Sequence, residues 1–271
     1  VTTDAVSTDA LAAARLEVAE CGRRMIADGL VLGTAGNVSV RVGELVAVSP
    51  SGMAYDRIEP VDVAVVDLDG NRVDGPHAPS SETPMHLAVY AETGAGAVVH
   101  HHGLHSAAVS TVVEELPALH YYVLQLGGPV RVARYATYGT AELARAVHAA
   151  LQDRTAALMQ NHGAVAHGDT LEQAYDRARL VEWLCALHVT ATGIGTPRVL
   201  TGEELAAVAR RRTGSRHEGG LPRRAHPRHP RSPGPRHPAR SAAACSTRSG
   251  SPRRAPRAAP PSTSRSSAPR W

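Results

Sequence analysis

Apolar positions recur near helical spacing from Asp9 to about Leu30, with Leu11, Ala14, Leu16, Val18, Met25 and Ile26 marking the buried face and Asp9 placed to cap the first turn. The pattern then changes. A glycine-rich turn, GTAGN, leads into an alternating strand over Asn37 to Val42, a reversal at Gly43 and a second strand over Leu45 to Ser49. VDVAVVDLDGNRVDG reads as a strand, an Asp-Gly hairpin and a short return. Beyond the loop PHAPSSE, the segment TPMHLAVYAETG predicts a helix beginning at Thr83 and Pro84, and GAVVHHH a strand. HSAAVSTVVEEL predicts a helix, VRVARYA a strand, GTAELARAVHAALQ a helix, and TAALMQNHGAVAHG two strands meeting at Asn-His-Gly. A long amphipathic helix starts at Thr170 and a shorter one covers TGEELAAVARR. Helices alternate with strands, yet several strands are joined by hairpins. The expected fold is therefore α/β, a single layered domain with a mixed, mainly antiparallel sheet covered by helices.

Composition divides the chain in two. The first part, residues 1–210, has the apolar content of one sizeable domain, within a chain of 271 residues that is 43% hydrophobic. Residues 211–271 are rich in Arg, Pro and Ser, hold almost no aliphatic side chain larger than Ala, and cannot bury enough surface to fold alone; they are expected to be a disordered tail. Residues 210–271 hold 16 arginines and one glutamate, a net charge of +15, which leaves −11 for residues 1–209. The basic balance thus belongs to the tail, and it does not argue that the body binds nucleic acid. An abrupt switch to Arg, Pro, Ala, Ser, Gly and His is also what a GC-rich gene gives when read out of frame after a one-base slip near residue 211, a hypothesis that resequencing decides. No apolar run is long enough to cross a bilayer, and the acidic, amphipathic start is unlike a signal peptide, which points to the cytoplasm and away from a membrane. Cys21, Cys185 and Cys245 form no paired framework; the first two read as buried thiols.

Residues 98–106, VVHHHGLHS, concentrate four histidines in nine positions. Alternation along a strand puts His100 and His102 on one face, roughly 6 to 7 Å apart, and His101 on the other. An HxH pair of this kind can converge on a divalent cation, or simply serve as polar surface or core hydrogen-bonders. His162, presented at a strand end beside Gly163, reads equally as a turn residue, and Glu82 as a first-turn acid that complements a helix dipole. Together, three neutral imidazoles and one carboxylate would make a four-ligand set suited to Zn²⁺, with Fe²⁺, Mn²⁺ or Co²⁺ as alternatives.

Seven segments in register, GTAGNVSVR, SPSGMAYD, PSSETPMHLAVY, AVVHHHGLHSAAVS, PALHYYV, YATYGTAELA and LMQNHGAVAHG, resemble the class II aldolase/adducin-head superfamily, in particular its L-fuculose-1-phosphate aldolase branch. The resemblance covers about residues 9 to 210. It implies an α/β/α layered domain, a C4 homotetramer with active sites at subunit interfaces, and one Zn²⁺ or other divalent ion per subunit on Glu82, His100, His102 and His162. His101 and His105 are not ligands in that pattern.

The activity implied is reversible cleavage of a ketose 1-phosphate, of the L-fuculose 1-phosphate kind, to dihydroxyacetone phosphate and an aldehyde through a metal-stabilised enediolate. Glu82 then acts as general base and Tyr121, offered from a neighbouring subunit, exchanges a proton with the aldehyde oxygen. Thr34, Asn37, Ser51, Gly52, Ser80 and Ser81 match the phosphate-binding positions, short polar loops with many backbone N–H groups and little bulk. The 271 residues contain no Lys, so a Schiff-base mechanism is excluded by composition. A 5-deoxypentulose or methylthioribulose 1-phosphate lyase would use the same contacts. An L-ribulose-5-phosphate 4-epimerase would typically carry Asp in place of Glu82, and a non-catalytic adducin-like domain would have lost its ligands. One departure stands out: the second tyrosine that such aldolases carry on a mobile C-terminal segment has no counterpart in AAVARRRTGSRHEGG.

Overall fold

The structure, a computed structural model, describes residues 7–217. Helix α1 (Thr8–Ala27) precedes four strands, β1 (Asn37–Val42), β2 (Leu45–Val48), β3 (Ala64–Asp67) and β4 (Arg72–Asp74). Helix α2 (Thr83–Thr93), strand β5 (Ala97–His101), helix α3 (Leu104–Val109), and strands β6 (Glu115–Leu116) and β7 (Val130–Ala133) follow. Helix α4 (Ala141–Leu151), strands β8 (Ala156–Met159) and β9 (Gly163–Gly168), and helices α5 (Leu171–Ile194) and α6 (Gly202–His217) complete the described residues. The strands form one sheet in the order β4-β3-β2-β1-β5-β9-β8-β7-β6, and every pairing except parallel β7 with β8 is antiparallel.

Period-two alternation splits the apolar residues of the central strands between two cores. Val38, Val99, Leu158 and Ala164 pack with α1 and α5 on one face, whereas Val48, Val98, Met159 and Val165 pack with α2 and α4 on the other. The result is the expected α/β/α layering around a mainly antiparallel sheet. Each fully buried Val or Leu contributes roughly 1.5–3 kcal/mol to this arrangement.

Local differences from the sequence reading have local causes. Ser7 occupies the N-cap of α1 and Asp9 lies inside the first turn, where its charge still faces the positive end of the helix. Helix α3 stops at Val109 instead of running to Leu116, because Thr111, Val112 and Val113 are β-branched and poor helix formers, and Glu115–Leu116 pairs with β7 as a strand. Thr170 caps α5 as expected, accepting a hydrogen bond from the Gln173 N–H. Cys21 and Cys185 are buried free thiols, and burial pushes Cys21 up to about 12. No helix among the described residues is long and apolar enough to cross a membrane. Cys245, and the tail from residue 218 onward, lie outside the described residues.

Candidate metal centre and its pocket

Three separate elements end at one place. Strand β5 delivers His100 on its α2 face, with Asn37 of β1 directly opposite in register, and the chain leaves the strand at His102. The β8–β9 turn delivers His162, whose N–H donates to the Met159 carbonyl, after Asn161 has taken a left-handed conformation at φ 55°. Glu82 is the N-cap of α2. Two glycines make the approach possible. A Cβ on Gly163 would lie 2.2 Å from the His101 carbonyl oxygen, and one on Gly36, at φ +75°, would lie 2.7 Å from the His100 carbonyl oxygen.

Within this crossing the donor atoms of Glu82, His100, His102 and His162 all lie within 4.8 Å of one another. Glu82 Oε2 is 3.1 Å from His100 Nε2, Glu82 Oε1 is 3.5 Å from His162 Nε2, and the Nε2 atoms of His100 and His102 are 2.9 Å apart. His100 and Glu82 are buried; His102 and His162 are partly open. His101 points to the opposite face, as alternation requires, and its Nδ1 accepts from the Gly103 N–H. His105 hydrogen-bonds Glu182 of α5. Neither belongs to the cluster.

Electrostatics keep the cluster rich in lone pairs. Burial, then the neighbouring His100 and His162, push His102 down to about 3; burial and His100 push His162 down to about 4. Burial alone would raise the Glu82 carboxyl, but the His100 ring, the Asn37 amide and His162 outweigh it and hold the group well below the usual carboxylate range.

The four residues fit a divalent cation on the chemistry of their donors. His100 Nδ1 lies 2.9 Å from the Ala164 carbonyl oxygen, which can only accept, so Nδ1 donates there and Nε2 is the ring atom turned toward Glu82 and His102. Glu82 Oε1 is buried without a hydrogen-bond donor. One ligand atom from each of the four side chains lies in this small volume, three ring nitrogens and a carboxylate oxygen, the set that a divalent cation coordinates.

Beside the cluster opens a cavity of about 510 Å³, lined by Thr34, Asn37, Ser51, Gly52, Ser80 and Ser81 together with Glu82, His102 and His162. The loops are stitched together: Ser51 N–H donates to the Ala78 carbonyl and Ser80 N–H to the Ser49 carbonyl, around a Pro50–Pro79 bridge. All six residues assigned to phosphate from the resemblance therefore share one pocket. Asn37 also donates through Nδ2 to Glu82 Oε2 at 2.9 Å. Sequence reasoning missed Tyr135, Tyr138 and Asn161, which line the same cavity; the first two stand in the quoted YATYG and the third precedes His162. Tyr121 is elsewhere. It lies in the 3-10 turn Tyr121–Leu126, 41% exposed, stacked on His120 with ring centroids 4.4 Å apart, and it does not line the cavity.

A layered α/β/α domain carrying a Glu-His₃ cluster at the end of its central strand defines a class. The profile of the Class II Aldolase and Adducin N-terminal domain matches residues 16–189, and the chain belongs to that family. Among its relatives, an L-fuculose phosphate aldolase of Escherichia coli is 41% identical over 183 residues, 66% of this chain and 85% of the relative. A 5-deoxy-D-ribulose 1-phosphate aldolase of Bacillus thuringiensis serovar kurstaki is 36% identical over 200 residues, 73% of this chain and 94% of the relative. A solved structure of an L-fuculose 1-phosphate aldolase superposes with a TM-score of 0.72 at 35% identity, covering 78% of this chain and all (100%) of that one.

Proposed function

We propose that the chain is a divalent-metal-dependent aldolase that cleaves a ketose 1-phosphate reversibly to dihydroxyacetone phosphate and an aldehyde. The observation that carries the reading is the convergence of Glu82, His100, His102 and His162 within 4.8 Å at the wall of a cavity whose other side is built from short hydroxyl-bearing loops. Those four would hold the ion, Zn²⁺ first among the choices for three imidazoles and a carboxylate. When bound, the ion supplies fixed positive charge against the negative charge that grows on a ketose carbonyl oxygen.

The remaining work falls to the chain. Thr34, Ser51, Gly52, Ser80 and Ser81 bind a phosphate dianion through hydroxyl and backbone N–H groups, and the sequence Ser80-Ser81-Glu82 fixes the span between phosphate and carboxylate so that the reacting carbons lie between them. Glu82 Oε1, the oxygen without a donor, takes the proton from the hydroxymethyl carbon of dihydroxyacetone phosphate, the carbon that bonds to the aldehyde, in the condensation direction and returns it on cleavage. Tyr121, supplied by an adjacent copy in a homotetramer, exchanges a proton at the aldehyde oxygen. Its side chain is exposed on its own chain and so accessible to an adjacent copy, which is what that assignment needs.

A second reading, a 5-deoxypentulose 1-phosphate as substrate, is favoured by the relative of that specificity, which this chain matches over 94% of its length. The two substrates differ only at the aldehyde end. A cleavage panel of L-fuculose 1-phosphate and 5-deoxyribulose 1-phosphate, with L-ribulose 5-phosphate to detect epimerisation, ranks them by kcat/KM. Glu82→Gln is expected to lower kcat on the preferred substrate by about 100-fold or more, and His102→Ala to lose bound metal by elemental analysis. Turnover of Glu82→Gln at the wild-type rate would overturn the reading.

A further inference from the structure

From Asn37 at the cavity wall, four buried polar side chains run behind Glu82 along the α2 face of the sheet: Asn37, His86, Ser39 and Tyr90, of which the most exposed is Asn37 at 3%. Asn37 Nδ2 is 2.9 Å from Glu82 Oε2, and Asn37 Oδ1 is 2.5 Å from His86 Nε2. His86 Nδ1 is 2.7 Å from Ser39 Oγ, which is 2.6 Å from the Tyr90 hydroxyl. His86 and Tyr90 stand four and eight residues after Glu82, on successive turns of one face of α2, while Asn37 and Ser39 share a face of β1.

Donor and acceptor inventories allow one direction along this chain. An ionised carboxylate only accepts, so Asn37 must offer its NH₂ to Glu82 and its oxygen to His86. That oxygen needs the proton of His86 Nε2. A neutral imidazole has a single N–H, and burial keeps His86 neutral, pushing it down to about 3. Nδ1 is therefore an acceptor, the Ser39 hydroxyl donates to it, and the Tyr90 hydroxyl donates to Ser39. Every hydrogen bond points toward the carboxylate.

We propose that His86 is a positioning residue for Glu82. By holding the Asn37 amide in one orientation it pins Oε2 and leaves Oε1, the oxygen with no donor, as the basic atom beside His162. Asn37 thus has a second task beside any contact to phosphate, for which its other Nδ2 hydrogen remains. Without a donor at position 86 the amide is free to turn its oxygen toward the carboxylate, and Glu82 loses its fixed rotamer. The inference rests on Glu82 being the group that moves the proton.

Two readouts test it. In ¹⁵N-histidine NMR of the whole protein, His86 is expected to be protonated at Nε2 and bare at Nδ1. In steady-state cleavage, His86→Leu is expected to lose about 10- to 100-fold in kcat with KM little changed, and His86→Gln, whose amide can again donate to Asn37, to restore most of it. A His86 protonated only at Nδ1, wild-type kcat in His86→Leu, or equal losses in the Leu and Gln variants would each overturn the assignment. Should His86→Leu fail to fold, the wild-type His86 tautomer and the kcat of His86→Gln decide: a ring bare at Nε2, or a glutamine variant that folds but loses as much kcat as the leucine variant was expected to lose, counts against the chain. If the wild type turns over no ketose 1-phosphate, the functional reading falls by itself and the tautomer decides the inference.

Discussion

Gly163 is the tightest point of the candidate centre. Its Cα faces the His101 carbonyl so closely that any side chain forces β9 away from β5, carrying His162 with it. Gly163→Ala is expected to cost about 1–3 kcal/mol in urea unfolding and to weaken metal binding in a chelator competition. An alanine variant that binds metal as tightly as wild type would show that the centre tolerates the shift. Much at this level was readable beforehand: period-two alternation separates His100 from His101, and the structure sends the first toward α2 and the second toward α5. The support behind Glu82 was not read, because Asn37, Glu82 and His86 meet only once β1 lies beside α2. A clue existed in the i, i+4 spacing of Glu82 and His86 on a helix and the i, i+2 spacing of Asn37 and Ser39 on a strand.

Among the helices, α3 is the shortest and depends on a neighbour. Its first turn is anchored by Glu182 of α5, which accepts from the backbone N–H groups of His105 and Ser106 and pairs with His105 Nδ1 at 2.8 Å. Gly103 leaves room for that carboxylate, since a Cβ there would meet Glu182 Oε2 at 2.3 Å. Because His102 immediately precedes this clamp, Glu182→Ala is expected to lower stability by about 1–3 kcal/mol and to loosen His102, read as faster amide hydrogen exchange over residues 102–106. Unchanged exchange in the variant would place the anchor of α3 elsewhere. The pattern of apolar residues located this helix but not its end, since periodicity over HSAAVSTVVEEL fits a helix while β-branched residues and the edge of β7 claim its second half. Caps were legible where a side chain does the capping, as at Thr170, and less so at α1, where Ser7 makes no side-chain hydrogen bond.

The layered architecture of the domain was legible because its central strands alternate between two apolar faces. Its acid sensitivity follows from what those layers bury. His86 and His167 are held neutral by burial, and both sit below the ordinary imidazole value. Below about pH 6.5 the unfolded chain takes up protons that these two refuse when folded, so unfolding free energy falls as pH drops, by at most about 1.4 kcal/mol per pH unit for each. Urea midpoints at pH 7, 6 and 5 should decline in that order, and His167→Gln should flatten the decline. A midpoint independent of pH over that range would mean that the two rings protonate in place.

Tyr121 and Glu82 stand on different surfaces of the same chain. On the proposed function each working site therefore borrows from two polypeptides, and a lesion in one copy can be made good by another. Tyr121→Phe and Glu82→Gln, each expected to be impaired when pure, should regain turnover when co-expressed, because some mixed junctions then join an intact tyrosine to an intact glutamate. Failure of the mixture, with mixed assemblies confirmed by mass, would mean that the tyrosine serves only its own subunit.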